Sequence, residues 1–309
     1  YGEPDIIIGS SVHPFAWLAA DFISKKTKAK FLCEIRDLWP QTLIDMGSMS
    51  YYHPVVVLFR AIERYIYKRA SRIITLLPGA YSYITKLGIP ENKIVYIPNG
   101  VDVERQKQRV LQKAETLDKQ MRDILDKYFC CIYIGSHGIA NSLDTLVKSA
   151  QIIGNQGYDE IKYIFIGDGT EKERHIEYCK KTGIVNISFF DSISKDLVPS
   201  VLSMGKINLI SMQKSNIYKY GISLNKLFDY MYSAKPIVFA GNVYCNIIEA
   251  ADAGIIVEAE EPQRVADAVL ALYNMSEVER NNIGNNGRAY VEKNHDIKKL
   301  VDKLIECFS

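Results

Sequence analysis

The fold class of this chain is indicated most strongly by residues 129–142, Phe129-Cys-Cys-Ile-Tyr-Ile134-Gly-Ser-His-Gly138-Ile-Ala-Asn-Ser142. The first six residues are all apolar, and the run is too short for a helix, which is the pattern of a buried parallel strand. Two glycines and a polar turn follow, and an amphipathic pattern over 142–154 predicts a helix. A strand, a glycine-containing turn and a helix form the first part of a βαβ unit, so this stretch predicts a parallel sheet covered by helices.

The same alternation extends over most of the chain. Apolar runs typical of buried strands lie at 5–9, 30–35, 72–77, 93–97, 129–134, 162–167, 187–190, 206–211, 236–240 and 254–258. Helical patterns lie between them at 14–26, 55–69, 142–154, 171–181, 194–204, 224–233 and 262–274. We therefore assign the chain to the α/β class, with doubly wound parallel sheets.

One polar and charged stretch, 103–127, interrupts the alternation and lacks a broad apolar stripe, which predicts an exposed helix or a linker. Six predicted strands follow it, enough for a complete domain, whereas only four precede it. We predict a partial first domain over 1–110, a linker over 111–127, a second domain over 128–290 and a carboxyl-terminal helix over 291–309. A return of that helix to the first domain stays an open alternative. Because the chain opens on Tyr1 and runs directly into a strand, we expect that part of the first domain is missing upstream.

Composition excludes several classes of protein. Lys and Arg total 38 against 36 acids, whereas a protein that wraps nucleic acid normally carries a larger surplus, so no nucleic-acid partner is expected. The six cysteines form no C-x-x-C pair, which argues against zinc and favours a reducing cytoplasm. No apolar run reaches the ~20 residues that span a bilayer. The sequence also lacks a D-x-D pair, so no metal ion is expected, and no G-x-G-x-x-G motif follows a strand, so no dinucleotide cofactor is expected.

Ligands of open α/β sheets bind beyond the carboxyl ends of the strands, so the residues that follow each strand are candidate site residues. Gly135 and Gly138 would let the backbone approach a ligand closely, and the helix behind them would direct free N–H groups toward an anion. This pattern predicts a phosphate site. In the alternative interpretation the two glycines only turn the chain.

The second candidate is the stretch Ser223-Leu-Asn225-Lys226-Leu-Phe-Asp229 at the start of a predicted helix. Ser223 is a suitable N-cap, which places Asn225 and Lys226 in the first turn. A lysine there opposes the helix dipole and needs an anion close by, for which a diphosphate is suitable. Asp229 lies on the same face and could accept hydrogen bonds from sugar hydroxyls. The alternative is an ordinary Lys226–Asp229 ion pair with Ser223 as a plain cap.

Two weaker candidates follow other strands of the second half. Gly167 begins Gly-Asp-Gly169, which is favoured as a structural turn. The loop from Asp191 to Ile193 could hold a base by backbone hydrogen bonds. We assign Gly167, Asp191 and Ile193 to the nucleoside end of the site.

In the first half, His13 follows one strand, and Arg36 and Asp37 follow the next. Because neighbouring parallel strands end at the same edge, the three side chains are expected to converge as catalytic residues. The alternative is a structural Arg–Asp pair with a helix cap at Ser11.

Residues 51–72 combine aromatic and aliphatic residues with five cations and one acid, which suits the interface of an anionic membrane. A peripheral contact of this segment with a membrane is one interpretation. The alternative is a helix that packs its apolar stripe on the first sheet and leaves a solvated basic face.

Several motifs, taken in order, resemble glycosyltransferase family 4. They are Ile97-Pro-Asn-Gly-Val-Asp102, Gly167-Asp-Gly169, Asn225-Lys-Leu-Phe-Asp-Tyr-Met231, Ala234-Lys-Pro-Ile-Val238 and Gly284-Asn-Asn-Gly287-Arg-Ala-Tyr290. Within that family, Glu34-Ile-Arg-Asp-Leu-Trp-Pro40 and Tyr220-Gly-Ile-Ser-Leu-Asn-Lys226 resemble a bacterial subgroup of O-antigen and capsule enzymes that includes N-acetyl-L-fucosamine transferase-like proteins.

The resemblance implies the GT-B fold, in which two Rossmann-like domains face a cleft and the second domain binds the nucleotide sugar. It also implies metal-independent transfer with retention at the anomeric carbon. Gly135 to Gly138 would then face the diphosphate, Lys226 would neutralise it, and Asp229 would replace the second acid of the E-x7-E motif beside the ribose. Gly221 stands where the family has the first acid, and Leu224 where it usually has Pro.

The resemblance implies transfer of a sugar from a nucleoside diphosphate sugar, of UDP-N-acetylhexosamine type, to a polyprenyl-diphosphate-linked acceptor. Because such an acceptor lies in a membrane, the resemblance also favours a peripheral contact of residues 51–72 with the inner face of the plasma membrane. Two alternatives stay open. One is a sugar-nucleotide epimerase of the same fold, and the other is a nucleotide-sugar binding fragment without turnover.

Overall fold

The computed structural model describes residues 2–11, 13–110 and 117–308, and their strands form two separate parallel sheets. The first sheet contains β1 (Ile6–Ser10), β2 (Lys30–Ile35), β3 (Arg72–Thr75) and β4 (Ile94–Tyr96). The second contains β5 (Phe129–Ile134), β6 (Ile161–Ile166), β7 (Ile187–Phe190), β8 (Ile207–Ser211), β9 (Ile237–Ala240) and β10 (Gly254–Val257). Each predicted strand is present, because nearly continuous apolar runs are a strong signal for buried parallel strands.

Strand order determines where a ligand site can form. The first sheet runs β1-β2-β3-β4, and the second runs β10-β9-β8-β5-β6-β7. The order of the second sheet reverses between β8 and β5, and a crevice opens at such a switch point beyond the carboxyl ends of the strands. The loops that leave β5 and β8 carry the two strongest candidate stretches.

Helices cover both faces of the sheets. In chain order they are α1 (Pro14–Thr27), α2 (Gln41–Asp45), α3 (Pro54–Arg69), α4 (Ala80–Lys86), α5 (Val103–Val110), α6 (Lys119–Lys127), α7 (Leu143–Asn155), α8 (Lys172–Thr182), α9 (Val198–Met204), α10 (Asn225–Tyr232), α11 (Ile247–Ala250), α12 (Pro262–Asn274), α13 (Glu277–Asn294) and α14 (Ile297–Glu306). Among the helices predicted between strands, the largest shift is at α9, which begins at Val198 rather than at 194. Pro199 lies in the first turn of α9, where a missing N–H and a fixed φ are tolerated. The carboxyl-terminal helix predicted over 291–309 corresponds to α14, which begins only at Ile297 because α13 extends to Asn294.

The stretch predicted as a linker over 111–127 contains a packed helix. Residues 111–116 lie outside the described residues. In α6, Met121 and Leu125 are buried against the core of the second sheet. Their spacing of four residues gives a narrow apolar stripe on a short, mostly charged helix, which is why composition alone predicted an exposed segment.

The last helix lies on the first sheet. Leu300 and Leu304 of α14 pack against Leu32 and Ile74, on the face opposite to Trp17 and α1. The ammonium of Lys303 donates to the backbone oxygen of Tyr96 at 2.7 Å. Helix α14 therefore follows the second sheet in sequence and packs on the first sheet in space.

The two halves are joined where residues 97–102 cross residues 295–297. The N–H of Val101 donates to His295 O at 2.9 Å, and the N–H of Ile297 donates to Val101 O at 3.0 Å. A Cβ at Gly100 would lie 2.3 Å from His295 O, so only glycine permits this crossing.

Candidate functional site

Two cavities lie beside the amino-terminal end of α10. One, of about 350 Å³, lies between the two sheets and is lined by residues of both halves. We call it the cleft cavity; its polar lining comes from Arg36, Asp37, Thr42, Asp45, Asn99, Asn141, Tyr220 and Ser223. The other, the α10 cavity, has a volume of about 420 Å³ and is lined by Asp102, Gln106, Lys195, Asn225, Lys226 and Asp229, among others. The first turn of α10 therefore lies between them.

Lys226, the second residue of α10, is held by neutral groups. Its Nζ donates to Oδ1 of Asn141 at 2.8 Å and to the hydroxyl of Tyr133 at 3.1 Å, and it lies 4.4 Å from the centroid of the Tyr133 ring. Burial lowers the pKa of Lys226 to about 7. An ammonium with this environment is ready to accept an anion, because its present partners carry no compensating charge.

The loop after β5 brings its backbone close to that ammonium. A Cβ at Gly135 would lie 3.3 Å from Nζ of Lys226. Asn141, on the same loop, also donates through Nδ2 to Ser136 O at 3.0 Å. Gly138 lies elsewhere: it lines a smaller cavity of about 170 Å³, together with Asp144 and Arg174. The structure thus places Gly135, but not Gly138, beside Lys226.

Gly167 has a packing role. A Cβ on it would lie 2.0 Å from Gly135 O, and its φ of +142° is strained for other residues. A hydrogen bond also joins the two loops, since His137 N donates to Asp168 O at 2.8 Å. The glycines after β5 and β6 therefore allow the two loops to touch.

Ser223 was predicted as the N-cap of α10, and this prediction is wrong. The cap residue is Leu224, with no side-chain hydrogen bond. The hydroxyl of Ser223 instead accepts from Asn99 N at 3.2 Å, and its backbone oxygen accepts from Asn99 Nδ2 at 3.0 Å. Because Asn99 lies in the crossing segment, Ser223 ties α10 to the first half. Asn225 and Lys226 occupy the first turn, as predicted.

Asp229 lines the α10 cavity, and its Oδ1 accepts from Nε2 of Gln106 at 2.7 Å. Gln106 belongs to the polar stretch that was not considered a source of site residues. Its side chain is buried although its neighbours on α5, Arg105 and Lys107, are exposed. One sequence signal was available, since Gln106 lies four residues after Asp102 of the Pro-Asn-Gly-Val-Asp motif.

Asp191 and Ile193 do not line the α10 cavity. The ammonium of Lys172 donates to Oδ1 of Asp191 at 2.6 Å and to Oδ1 of Asp168 at 3.0 Å. Hydrogen bonds from Ser192 and Lys172 lower the pKa of Asp168 to about 2. Ile193 packs against the core of the second sheet. Lys195, further along this loop, lines the cavity instead.

The catalytic trio predicted in the first half is divided. Arg36 and Asp37 line the cleft cavity, where burial raises the pKa of Asp37. His13 is exposed, does not line the cleft cavity, and its ring lies 5.8 Å from that of Phe15. The loops after β1 and β2 meet through Ser11, whose hydroxyl accepts from Arg36 N at 3.4 Å.

Comparison with known proteins identifies the family. The family model of glycosyl transferases group 1 matches residues 115–290, more than half of the chain. The chain belongs to the glycosyl transferases of group 1. Residues 2–100 match a glycosyl transferase 4-like domain. The predicted resemblance to glycosyltransferase family 4 is thereby confirmed.

Relatives of this glycosyl transferase include a putative colanic acid biosynthesis glycosyl transferase, WcaI, of Escherichia coli strain K12. It is 21% identical over 214 residues, which are 69% of this chain and 52% of the relative. The chain thus spans about half of the length of that curated relative.

Solved structures agree with the fold of this glycosyl transferase. Anabaena Alr3699/HepE, in complex with UDP and glucose, superposes with a TM-score of 0.73 at 13% identity, covering 98% of this chain and 77% of that one. The α,α-trehalose 6-phosphate synthase of Burkholderia multivorans gives a TM-score of 0.77 at 14% identity, covering 100% and 72%. At such identities the likeness concerns the fold, and the predicted GT-B arrangement of two parallel-sheet domains is confirmed.

Residues 2–11, 13–110 and 117–308 contain no cluster of three metal-ligating side chains. Over the same ranges, no helix combines the length and apolar character that a membrane span requires.

Proposed function

We propose that this glycosyl transferase moves a sugar from a nucleoside diphosphate sugar to a lipid-linked acceptor in surface polysaccharide synthesis. We further propose that the donor is of UDP-N-acetylhexosamine type, and that transfer retains the anomeric configuration and needs no metal ion. The observation that supports this most is the half-buried ammonium of Lys226, which lines the α10 cavity and donates to two neutral acceptors. The printed descriptions of relatives, which include colanic acid biosynthesis and a complex with UDP and glucose, agree with it.

In this proposal the diphosphate lies beside Lys226 and the first turn of α10. The N–H groups of Asn225 and Lys226 begin the helix and would direct their positive ends toward the phosphates, whereas that of Leu227 donates to Leu224 O. Negative charge grows on the diphosphate as the bond to the sugar breaks, and a cation in a buried site stabilises that charge more strongly than water would. Lys226 would therefore assist the departure of the nucleotide.

The two cavities would then receive the two ends of the donor. The carboxylate of Asp229 faces the α10 cavity and would accept from ribose hydroxyls. The sugar would enter the cleft cavity, where Arg36 and Asp37 of the first half meet Asn141 of the second. Asp37, with its raised pKa, is the carboxyl group best placed to exchange hydrogen bonds with the transferred sugar.

The proposed lipid-linked acceptor requires contact with a membrane, and an exposed surface of the first half supports such contact. Helices α1 and α3 expose Phe22, Ile23, Val57, Leu58 and Tyr65, which we call the α1–α3 patch. Lys26, Arg64 and Lys68 are exposed on the same two helices. Apolar side chains with basic neighbours suit the headgroup region of an anionic bilayer.

Not all cations of residues 51–72 are available to contact lipid headgroups. Arg60 donates to Gln41 Oε1 at 2.9 Å and lies over the ring of Tyr51. Arg69 donates to Oδ1 of Asp21 at 3.1 Å. These two cations have partners within the protein, so Arg64 and Lys68 are the cations of α3 proposed to face the lipid.

Product analysis with radiolabelled UDP sugars, with and without a polyprenyl-diphosphate-linked acceptor, tests the function. We expect label to move to the acceptor and UDP to be released only when the acceptor is present. Epimerised sugar nucleotide without acceptor would establish the epimerase instead. Binding without either product would leave a nucleotide-sugar binding protein.

A further inference from the structure

One loop of the second half forms most of one wall of the cleft cavity. It joins β8 to α10 and spans residues 212–224. The residues of this β8–α10 loop that line the cavity are Met212, Ile217, Tyr218, Tyr220, Gly221, Ile222, Ser223 and Leu224. The position of the loop therefore determines the shape of the cavity.

Gly221 limits how this wall can contact a ligand. A Cβ at Gly221 would lie 2.6 Å from Cδ of Pro78, and its φ is +97°. No side chain can project from this position without moving the first half of the molecule. The wall around Gly221 must act through its backbone, whose position then has to be set by neighbouring contacts.

Those contacts come from the first half and lie on both sides of Gly221. The ammonium of Lys219 donates to Oδ1 of Asp45, at the end of α2, at 2.7 Å. The N–H of Gly79 donates to Tyr220 O at 2.8 Å. Beyond Gly221, Asn99 binds Ser223 through both its N–H and its side-chain amide.

The Asp45–Lys219 ion pair is the contact of this set that depends on charge. The Asp45 side chain is also held by contacts within the first half. It is 8% exposed, against 43% for Lys219. Oδ1 of Asp45 also accepts from Nε2 of Gln41 at 2.7 Å, and Oε1 of Gln41 accepts from Arg60 at 2.9 Å. The carboxylate is therefore held in place by α2 and α3 before Lys219 reaches it.

We propose that Asp45 and Lys219 are positioning residues: their ion pair holds the β8–α10 loop against α2 and thereby sets the cavity wall that faces the transferred sugar. That the occupant is a sugar rests on the proposed function; the control of loop position does not. A partly exposed lysine that binds a nearly buried carboxylate across the cleft makes the loop position sensitive to charge and to salt.

Hydrogen exchange in the ligand-free chain tests the positioning directly. Asp45→Asn removes the charge with little change of shape, and Lys219→Gln removes the other partner. We expect each to speed exchange of the amides of Gly79 and Gly221 by about two- to fivefold, the scale of one partly exposed ion pair. The double variant should add little, because both changes break the same contact. The exchanged pair Asp45→Lys with Lys219→Asp should restore slow exchange.

Lys214→Gln is the matched control, since it removes the same charge from the same loop. Its backbone N–H donates to Glu260 and not to a group of α2. The amide of Val101, bound to His295 O, reports whether any variant loosens the molecule as a whole. Unchanged exchange at Gly79 and Gly221 in both single variants would overturn the proposal, as would an equal effect of Lys214→Gln.

Ligand binding separates this proposal from the proposed function. We expect both single variants to weaken a UDP sugar about two- to fivefold, with a smaller effect at high salt, and to leave UDP unchanged. Equal loss for both ligands would contradict the assignment of this wall to the sugar. If the parent binds neither ligand, the proposed function fails, while the exchange result still decides whether Asp45 and Lys219 position the loop.

Discussion

Nζ of Lys226 lies 2.8 Å from Oδ1 of Asn141, so the cation at the start of α10 is tied to the loop after β5 by a neutral amide. The reversal of strand order between β8 and β5 places these two loops side by side. Asn141 orients the ammonium without neutralising it. The charge is therefore left for a ligand.

The first prediction concerns the charge of Lys226. Lys226→Met should weaken UDP binding by roughly 1.5–3 kcal/mol, the range for a hydrogen bond to a charged group. Lys148→Met, which removes an exposed lysine of α7, should leave the affinity unchanged. Calorimetry measures both, and equal UDP affinity in the parent and Lys226→Met would remove Lys226 from the site.

The second prediction is a pH dependence of the same interaction. The pKa of about 7 means that Lys226 loses its proton in the free protein as pH rises through 7, so UDP binding must take that proton up. Affinity should fall as pH rises from 7 to 9. Lys226→Arg stays charged over this range and should flatten the profile. Titrations in buffers of different ionisation enthalpy report the proton uptake, and none at pH 8 would contradict the prediction.

The third prediction separates the two ends of the donor. Asp229→Asn should weaken UDP binding by about 0.5–1.5 kcal/mol and leave pyrophosphate binding nearly unchanged, since its proposed partners are ribose hydroxyls. Asparagine can still accept from Gln106, so the wall of the α10 cavity should persist. Competition titrations with both ligands provide the comparison. Equal weakening of the two would mean that Asp229 orients the phosphate site.

The fourth prediction concerns membrane contact. Replacing Lys26, Arg64 and Lys68 with Gln should release the chain from anionic phospholipid vesicles, since each basic residue near such a surface contributes ~1 kcal/mol. UDP binding should be unaffected. Three exposed lysines of the second half, Lys148, Lys180 and Lys181, supply the matched triple variant. Equal sedimentation of the two triple variants with vesicles, or none by the parent, would count against the α1–α3 patch.

The fifth prediction concerns stability and Glu63, which is fully buried on α3 and accepts from the Tyr83 hydroxyl at 3.0 Å. Burial raises the pKa of Glu63 to about 8, from its usual value of 4.5. Between these values the folded chain holds more protons than the unfolded chain, so this group lowers the free energy of unfolding as pH rises.

Glu63→Gln should therefore stabilise the protein more at pH 8 than at pH 5, by roughly 2–5 kcal/mol. Urea unfolding at the two pH values gives the difference. Glu177→Gln, an exposed substitution on α8, serves as the control. An equal change in the free energy of unfolding at the two pH values would show that Glu63 is charged in the folded protein.

Prediction from sequence was most successful for the strands and least successful for helices with unusual patterns. The helix α13 was not predicted, because Gly284 and Gly287 lie in its interior and lower its helix propensity. Packing explains them: a Cβ at Gly284 would lie 2.0 Å from Ala234 O. A capping box between Ser276 and Glu279 marks its start and could have revealed it.

Local sequence was sufficient for the α/β class, the strands and the place of Lys226 in the first turn of α10, because these features depend on residues near one another along the chain. The contacts between side chains of the site depend instead on residues far apart along the chain. Lys226 and Asn141 are 85 residues apart, Gln106 and Asp229 are 123 apart, and Asp45 and Lys219 are 174 apart. Ser223 illustrates the difference: its local pattern indicates a helix cap, yet its hydroxyl binds Asn99. A polar side chain bonds to whichever group the packing of sheets and loops brings within about 3 Å, and periodicity along the chain contains no information about that packing.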